Sequence, residues 1–134
     1  MKALKVVLVV VGVVCLFSSL PGAVVPWSVI NRVLGVLGFR AVPELPLVVY
    51  CVRLSALGFA LMGVFFLLLA TDPVRYQPML ALGTWGLVVM GVLAFETGRM
   101  VGMQPPWYWA DGGFAVLAGV LILIFWPRAQ QAQE

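Results

Sequence analysis

Four long apolar stretches constrain the fold of this 134-residue chain more than any other feature. They are predicted to form helices over residues 3–20, 46–71, 78–102 and 106–126. A helix needs about 20 apolar residues to cross a hydrocarbon core of about 30 Å. No alternating strand pattern is present, and a chain without one can span a bilayer only with helices. The sequence therefore predicts an all-α integral membrane four-transmembrane-helix bundle that forms a single domain over residues 1–134.

Composition agrees with this prediction and excludes several classes of function. Only 10% of the residues are charged and 63% are hydrophobic, whereas an ordinary soluble domain carries about 25% charged residues. The net charge of +3 is spread along the chain, so it makes no basic patch for nucleic acid. Histidine is absent, which removes the commonest general base and metal ligand. We therefore predict no catalytic residue, metal or cofactor, and an enzyme is the less favoured class.

The first apolar stretch admits two interpretations. It follows Lys2 and Lys5 and ends at Leu20–Ala23, a pattern that is also typical of a cleaved signal peptide. Proline three residues before a cut after Ala23 is a poor cleavage context, so a retained transmembrane helix is favoured. Cys15 and Cys51 lie in different apolar stretches without CxxC spacing. At similar predicted depths they allow a disulfide, but a pair of buried thiols is favoured.

The connections between the predicted spans differ in length. Asp72 followed by Pro73 indicates a helix start and a tight hairpin between the second and third spans. Pro78 would then lie about one turn inside the helix and kink it.

The connection between the first and second spans is longer and has a helical pattern. Over residues 26–38, apolar side chains recur at spacings of three and four, while Asn31 and Arg32 lie elsewhere on the helical wheel. This pattern predicts a short interfacial amphipathic helix; an irregular apolar loop is the alternative. The apolar positions are Trp27, Ile30, Leu34 and Leu37.

The charges that flank the spans predict the orientation. With both termini in the cytoplasm, Lys2 and Lys5 precede the first span on the inner side, as the positive-inside rule favours. Arg75 and Arg128 share that side, and Arg32, Arg40 and Arg99 lie on the other. We therefore expect a bacterial inner-membrane protein with cytoplasmic N- and C-termini.

Four charged residues are predicted to share one depth in the membrane. Arg53 lies near the start of the second span, Glu96 and Arg99 near the end of the third, and Asp111 near the start of the fourth. In an up-and-down bundle Arg53, Glu96 and Asp111 lie roughly 7–11 Å below the same boundary, with Arg99 slightly higher. A lone charge at the centre of a span costs about 2.5–3.5 kcal/mol, so such residues pair or face a wet cavity. We therefore predict a buried Arg/Glu/Asp cluster at the outer side.

This predicted cluster has two interpretations. In the structural one, it is a neutral ion-pair network that fixes the register of three helices, with Tyr50 and Tyr108 as further hydrogen-bond donors. In the functional one, it lines a pocket that opens to the outer leaflet and binds a polar headgroup or an anionic ligand. Small residues four apart also predict close helix contacts; the pairs are Ala56 with Ala60, Gly98 with Gly102, and Ala115 with Gly119.

Three segments carry a family resemblance: "VRLSALGFALMG" in the second span, "ETGRMVGMQPP" ending the third, and "WYWADGGFAVLAG" opening the fourth. Over residues 46–126 the chain resembles the small four-helix bacterial membrane proteins grouped as DoxX-like. The resemblance implies a compact four-helix fold and directs attention to Arg53, Arg99 and Asp111. It implies no mechanism.

The sequence favours a binding or accessory subunit that holds a lipid-like ligand or a membrane partner near the charged cluster. The alternative is an oligomeric small transporter or channel subunit that uses Glu96 and Asp111 as ion- or proton-linked groups. An enzyme acting on lipid-linked substrates, with the same two carboxylates as acid and base, is the third hypothesis. The expected partners are membrane lipids and either further copies of the chain or a larger membrane complex.

Overall fold

A computed structural model describes residues 2–131, with side chains up to residue 127, and in this range it contains five helices and no strand. The helices are α1 (Lys2–Val24), α2 (Trp27–Val36), α3 (Pro46–Thr71), α4 (Gln77–Met100) and α5 (Pro105–Gln131). Four of them, α1, α3, α4 and α5, are long and apolar enough to cross a membrane. The predicted all-α, four-span architecture is confirmed. The Arg128 side chain, which the orientation argument used, lies outside the described side chains.

The chain divides into two compact units, and both α1 and α3 contribute to each of them. The first unit, here called the hairpin unit, combines residues up to 11 with those from 66 onward. The second, here called the loop unit, comprises residues 12–65.

In the hairpin unit, glycines let α4 and α5 pack with their backbones in close approach. A Cβ atom at Gly91 would lie 2.8 Å from the carbonyl oxygen of Gly112, and one at Gly112 would lie 2.9 Å from that of Gly91. Seven residues beyond Gly112, a Cβ at Gly119 would lie 3.2 Å from the carbonyl oxygen of Thr84. The Thr84 side chain is fully buried, and its hydroxyl donates to the Leu80 carbonyl at 2.6 Å. These contacts define an antiparallel helical hairpin.

The other end of the hairpin unit has an apolar core. The first turns of α1 bury Leu4, Leu8 and Val11, and the last turns of α3 bury Phe66 and Leu69. The Lys5 ammonium donates to the carbonyl oxygen of Thr71 at 2.9 Å, in the last turn of α3. A cation is favourable at a helix C-terminus because the last carbonyls there lack partners within the helix.

The turn between α3 and α4 corrects two expectations. Asp72 does act as a cap, since the Arg75 N–H donates to its carboxylate at 3.2 Å. However, it caps a separate turn, and α4 begins only at Gln77. Pro78 therefore stands in the first turn of α4 and not one turn inside it. An N–H is not needed in the first turn of a helix, so the reason for the predicted kink at Pro78 disappears.

In the loop unit, α1 and α3 also approach closely. A Cβ atom at Gly63 would lie 2.7 Å from the carbonyl oxygen of Gly12, and one at Gly22 would lie 3.1 Å from the Cβ of Ala56. Ala56 and Ala60 are both buried. Ala56 therefore makes the close helix contact that was predicted for it, and Ala60 is buried one turn further along α3.

The predicted helix over residues 26–38 is present as α2. Trp27 is buried, whereas Leu37 is exposed and forms the C-cap. Asn31, which was predicted to lie off the apolar face, bonds within the chain: its side-chain N–H donates to the Val42 carbonyl at 3.1 Å, and its side-chain oxygen accepts from the Val42 N–H at 2.9 Å. The position of α2 at a membrane interface stays a prediction.

Neither cysteine forms a disulfide. Cys15 is half-buried and Cys51 is exposed, and both are free thiols. The preference for thiols over a disulfide is confirmed, while the expectation that both are buried is wrong for Cys51. Residue 51 lies on a face of α3 that the loop unit leaves open, whereas Ala56 and Ala60 occupy the packed face.

Candidate functional site

The six residues singled out in the sequence fall in both units. Tyr50 and Arg53 lie on α3 in the loop unit. In the hairpin unit, α4 carries Glu96 and Arg99, and α5 carries Tyr108 and Asp111. The last four residues therefore belong to one unit, and their mutual contacts are described below.

All four charged side chains, Arg53, Glu96, Arg99 and Asp111, are exposed at the surface of the chain rather than buried in its interior. Among the described residues of the hairpin unit, Glu96, Arg99 and Asp111 form no salt bridge with one another. A cluster that includes Arg53 therefore stays a prediction. The exposure of Glu96 follows from its position on α4 relative to the face that packs against α5. Glu96 lies five residues after the packed Gly91, about 140° around a helix of 3.6 residues per turn.

Tyr108 has a different role from the one expected. Its ring packs edge-to-face on Phe95, with centroids 5.2 Å apart, and its Cβ and Cγ lie directly against Gly98. Within the described part of the chain, neither Tyr108 nor the exposed Tyr50 makes a side-chain hydrogen bond. Tyr108 is thus a packing residue of the hairpin rather than a donor to the charged residues.

The loop between α4 and α5 places these aromatic rings opposite each other. Gly102, with φ of 68°, ends α4: its N–H bonds to the Arg99 carbonyl and the next N–H, of Met103, bonds to the Gly98 carbonyl. This is the Schellman arrangement, in which glycine is preferred because the backbone is left-handed. Pro105 then opens α5, where proline is tolerated. The reversal is short, so the first turns of α5 face the last turns of α4.

An open groove lies between α4 and α5, close to this loop. Its volume is about 300 Å³. Trp109 stands in its wall, and its ring packs edge-to-face on Phe95 with centroids 4.9 Å apart. Glu96 is the single charged residue among those that line the groove. The full lining consists of Gly91, Val92, Phe95, Glu96, Trp109, Gly112, Gly113 and Val116.

The groove extends into the membrane-spanning part of the hairpin. Glu96 lies four residues before the end of α4, which corresponds to about 6 Å along the helix axis, and Gly91 lies about 14 Å from the same end. A long arginine can extend its charged group toward the interface, but a glutamate is shorter. Glu96 therefore lines an apolar groove, and its carboxylate has no partner among the described residues.

The sequence contained a signal for this hairpin that spacings of four do not capture. Gly91 and Gly98 are seven residues apart on α4, and Gly112 and Gly119 are seven apart on α5. Seven residues make almost two turns, so such glycines share one face. Gly102, by contrast, ends α4 and would have nothing near its Cβ. Its predicted contact role is wrong because a left-handed residue cannot continue the helix.

Comparison of the chain with protein-family models, with curated proteins and with solved structures gave no match. The DoxX-like resemblance therefore rests on the three quoted segments and stays a prediction.

Proposed function

We propose that this small integral membrane protein is a binding or accessory subunit and that the α4–α5 groove holds a lipid-like ligand. The observation that carries the proposal is the groove itself, which combines an apolar and aromatic lining with one acidic residue, Glu96. Ligand sites are typically concave and mostly apolar, with a few polar groups that orient the ligand.

The position of the groove supports a ligand that enters from the lipid. The lining residues belong to the membrane-spanning parts of α4 and α5. A molecule that reaches Glu96 by this route needs an apolar body and a polar group. The volume of the groove, about 300 Å³, lies at the small end of the range of about 300–1,000 Å³ for ligand sites. One chain or ring system of a lipid-like molecule fits this space.

The same geometry gives less support to a transporter that uses both carboxylates. Such a pathway would need Glu96 and Asp111 to face one passage. Glu96 lines the groove, whereas the exposed Asp111 is not part of its lining. The DoxX-like resemblance is part of the proposal only in so far as it directs attention to this end of the chain.

Photolabelling of the protein in lipid nanodiscs tests the proposal. The probe is a phospholipid with a diazirine in its acyl chain, and labelled peptides are mapped by mass spectrometry. We expect labelling to concentrate at the groove and to fall when Gly113→Leu fills it. A Cβ atom at Gly113 meets nothing within 4 Å, so this variant is expected to fold.

Gly86→Leu is the matched control. Gly86 is also open and also lies in a membrane-spanning helix, but it does not line the groove. Labelling of the groove should therefore be unchanged in this variant. Uniform labelling of the lipid-facing helices that is equal in the native chain and both variants would overturn the proposal.

A further inference from the structure

Resting on the proposed function, we infer that the ligand of the groove carries a cationic group, such as a quaternary ammonium, which binds at Glu96. The sequence alone left a polar headgroup or an anionic ligand as the functional interpretation. The groove has the opposite charge complementarity, because its lining contains one carboxylate and no lysine or arginine.

The charged neighbours of Glu96 do not reverse this polarity. Arg99 follows one turn later on α4 but does not line the groove, and it forms no salt bridge with Glu96. Asp111, on α5, is exposed and does not line the groove either. An anionic ligand in the groove would face a carboxylate in an apolar surrounding, where like-charge repulsion is weakly screened. A cation would supply the partner that Glu96 lacks.

The aromatic side chains beside Glu96 favour the same class of ligand. Phe95 and Trp109 line the groove together with Glu96, and Trp109 keeps 59% of its surface exposed. The face of an aromatic ring attracts cations, tryptophan most strongly, and such rings recognise quaternary ammonium groups. A carboxylate with two aromatic rings is therefore a suitable acceptor for a cation with an apolar body.

The length of the groove favours a small molecule over a partner helix. On α4 its lining extends from Gly91 to Glu96, fewer than two turns or about 8 Å. A transmembrane partner helix would need a contact surface over several turns. We therefore commit to a cationic amphiphile as the occupant.

Competition with three compounds of equal chain length tests the inference. Dodecyltrimethylammonium, dodecanol and dodecanesulfonate are added at low mole fraction to zwitterionic nanodiscs, and each is scored by its ability to displace the photolabelling phospholipid. We expect the cation to displace the probe at about tenfold lower mole fraction than the other two, a difference of about 1.4 kcal/mol, because only the cation is attracted both to the Glu96 charge and to the aromatic rings. Glu96→Gln should abolish this preference, and Asp111→Asn should keep it.

The outcomes separate the inference from the proposed function. If the three compounds displace the probe equally, or if the sulfonate is the strongest competitor, the groove binds ligands but the inference of a cation is wrong. A cation preference that survives Glu96→Gln also overturns it. Absence of groove labelling before any competitor is added contradicts the proposed function instead.

Discussion

Asn31 in the loop unit and Glu96 in the hairpin unit are both polar residues on helices of an apolar chain, but their surroundings differ. The Asn31 amide bonds to both backbone polar groups of Val42, and the Trp27 indole N–H donates to the same Val42 carbonyl at 3.1 Å. Glu96 is exposed and has no partner among the described residues. Asn31 therefore fixes α2 to the segment that follows it by hydrogen bonds. The carboxylate of Glu96, by contrast, is available to a ligand or to another chain.

This difference separates polar groups that build the fold from those that are candidates for function. A polar group with partners inside the chain contributes to stability, and its loss leaves those partners unsatisfied. An exposed charged group without partners in the chain contributes little to stability, so its replacement changes the free energy of unfolding only slightly. Its charge is available to a ligand or to another chain, which makes the comparison testable by mutation.

The largest effect on stability is expected from neither polar residue but from the glycine contact that brings α4 and α5 together. In Gly91→Val, the new Cβ would meet the Gly112 carbonyl oxygen at 2.8 Å and the Val116 nitrogen at 2.9 Å. Both are backbone atoms, so the helices have to separate. Overpacking typically costs about 1–3 kcal/mol, and we expect the upper part of that range in titrations with a denaturing detergent followed by tryptophan fluorescence.

The matched control for this variant is Gly86→Val on the same helix. A Cβ at Gly86 meets nothing within 4 Å, so the free energy of unfolding should change by less than about 0.5 kcal/mol. Equal destabilisation by both variants would mean that the loss of glycine in α4, and not the contact with α5, decides stability.

An intermediate effect is expected from Asn31→Leu. This variant removes the acceptor of the Val42 N–H, while the Val42 carbonyl keeps the bond from the Trp27 indole. We expect a loss of about 1–2 kcal/mol and faster amide hydrogen exchange over residues 39–45. Exchange measured by mass spectrometry checks this. The control is the exposed neighbour in Arg32→Leu, and if both variants exchange alike, Asn31 does not pin this segment.

The smallest effect on stability is expected from Glu96→Gln. Because the Glu96 side chain is exposed and forms no pair among the described residues, the unfolding free energy should change by less than about 0.5 kcal/mol. The same detergent titration measures it, with Asp111→Asn alongside. A loss of about 3–5 kcal/mol, the typical cost of breaking a buried ion pair, would favour the closed network that the sequence also allowed and would remove the contrast with Asn31.

The fold of individual segments was readable from the sequence because it depends on local chemistry. Long apolar runs predicted four spans, and α3 covers the predicted residues 46–71. The spacing of three and four around Trp27 predicted α2. Helix starts were less predictable, because an aspartate before a proline can cap a single turn as well as a long helix. The cap at Asp72 belongs to a turn that ends before α4 begins.

The functional residues were predictable only in part. The sequence identified Glu96 as a charge at membrane depth, and its exposure in a groove follows from the tertiary structure. The groove depends on which faces of α4 and α5 are in contact. The close backbone approach of Gly91 and Gly112 determines these faces. Gly91 was not predicted to make a helix contact, because only a spacing of four residues was considered and the repeated spacing is seven.

By itself, the sequence determined that this chain belongs in a membrane, that it crosses with four helices and that its few charges lie near the ends of these helices. Hydrophobicity and helix length decide these properties locally, whatever the neighbouring helices do. Only the tertiary structure decided which charge faces a groove and which polar group is satisfied internally. Those properties depend on contacts between residues far apart in the chain, as Asn31 with Val42 and Gly91 with Gly112 illustrate.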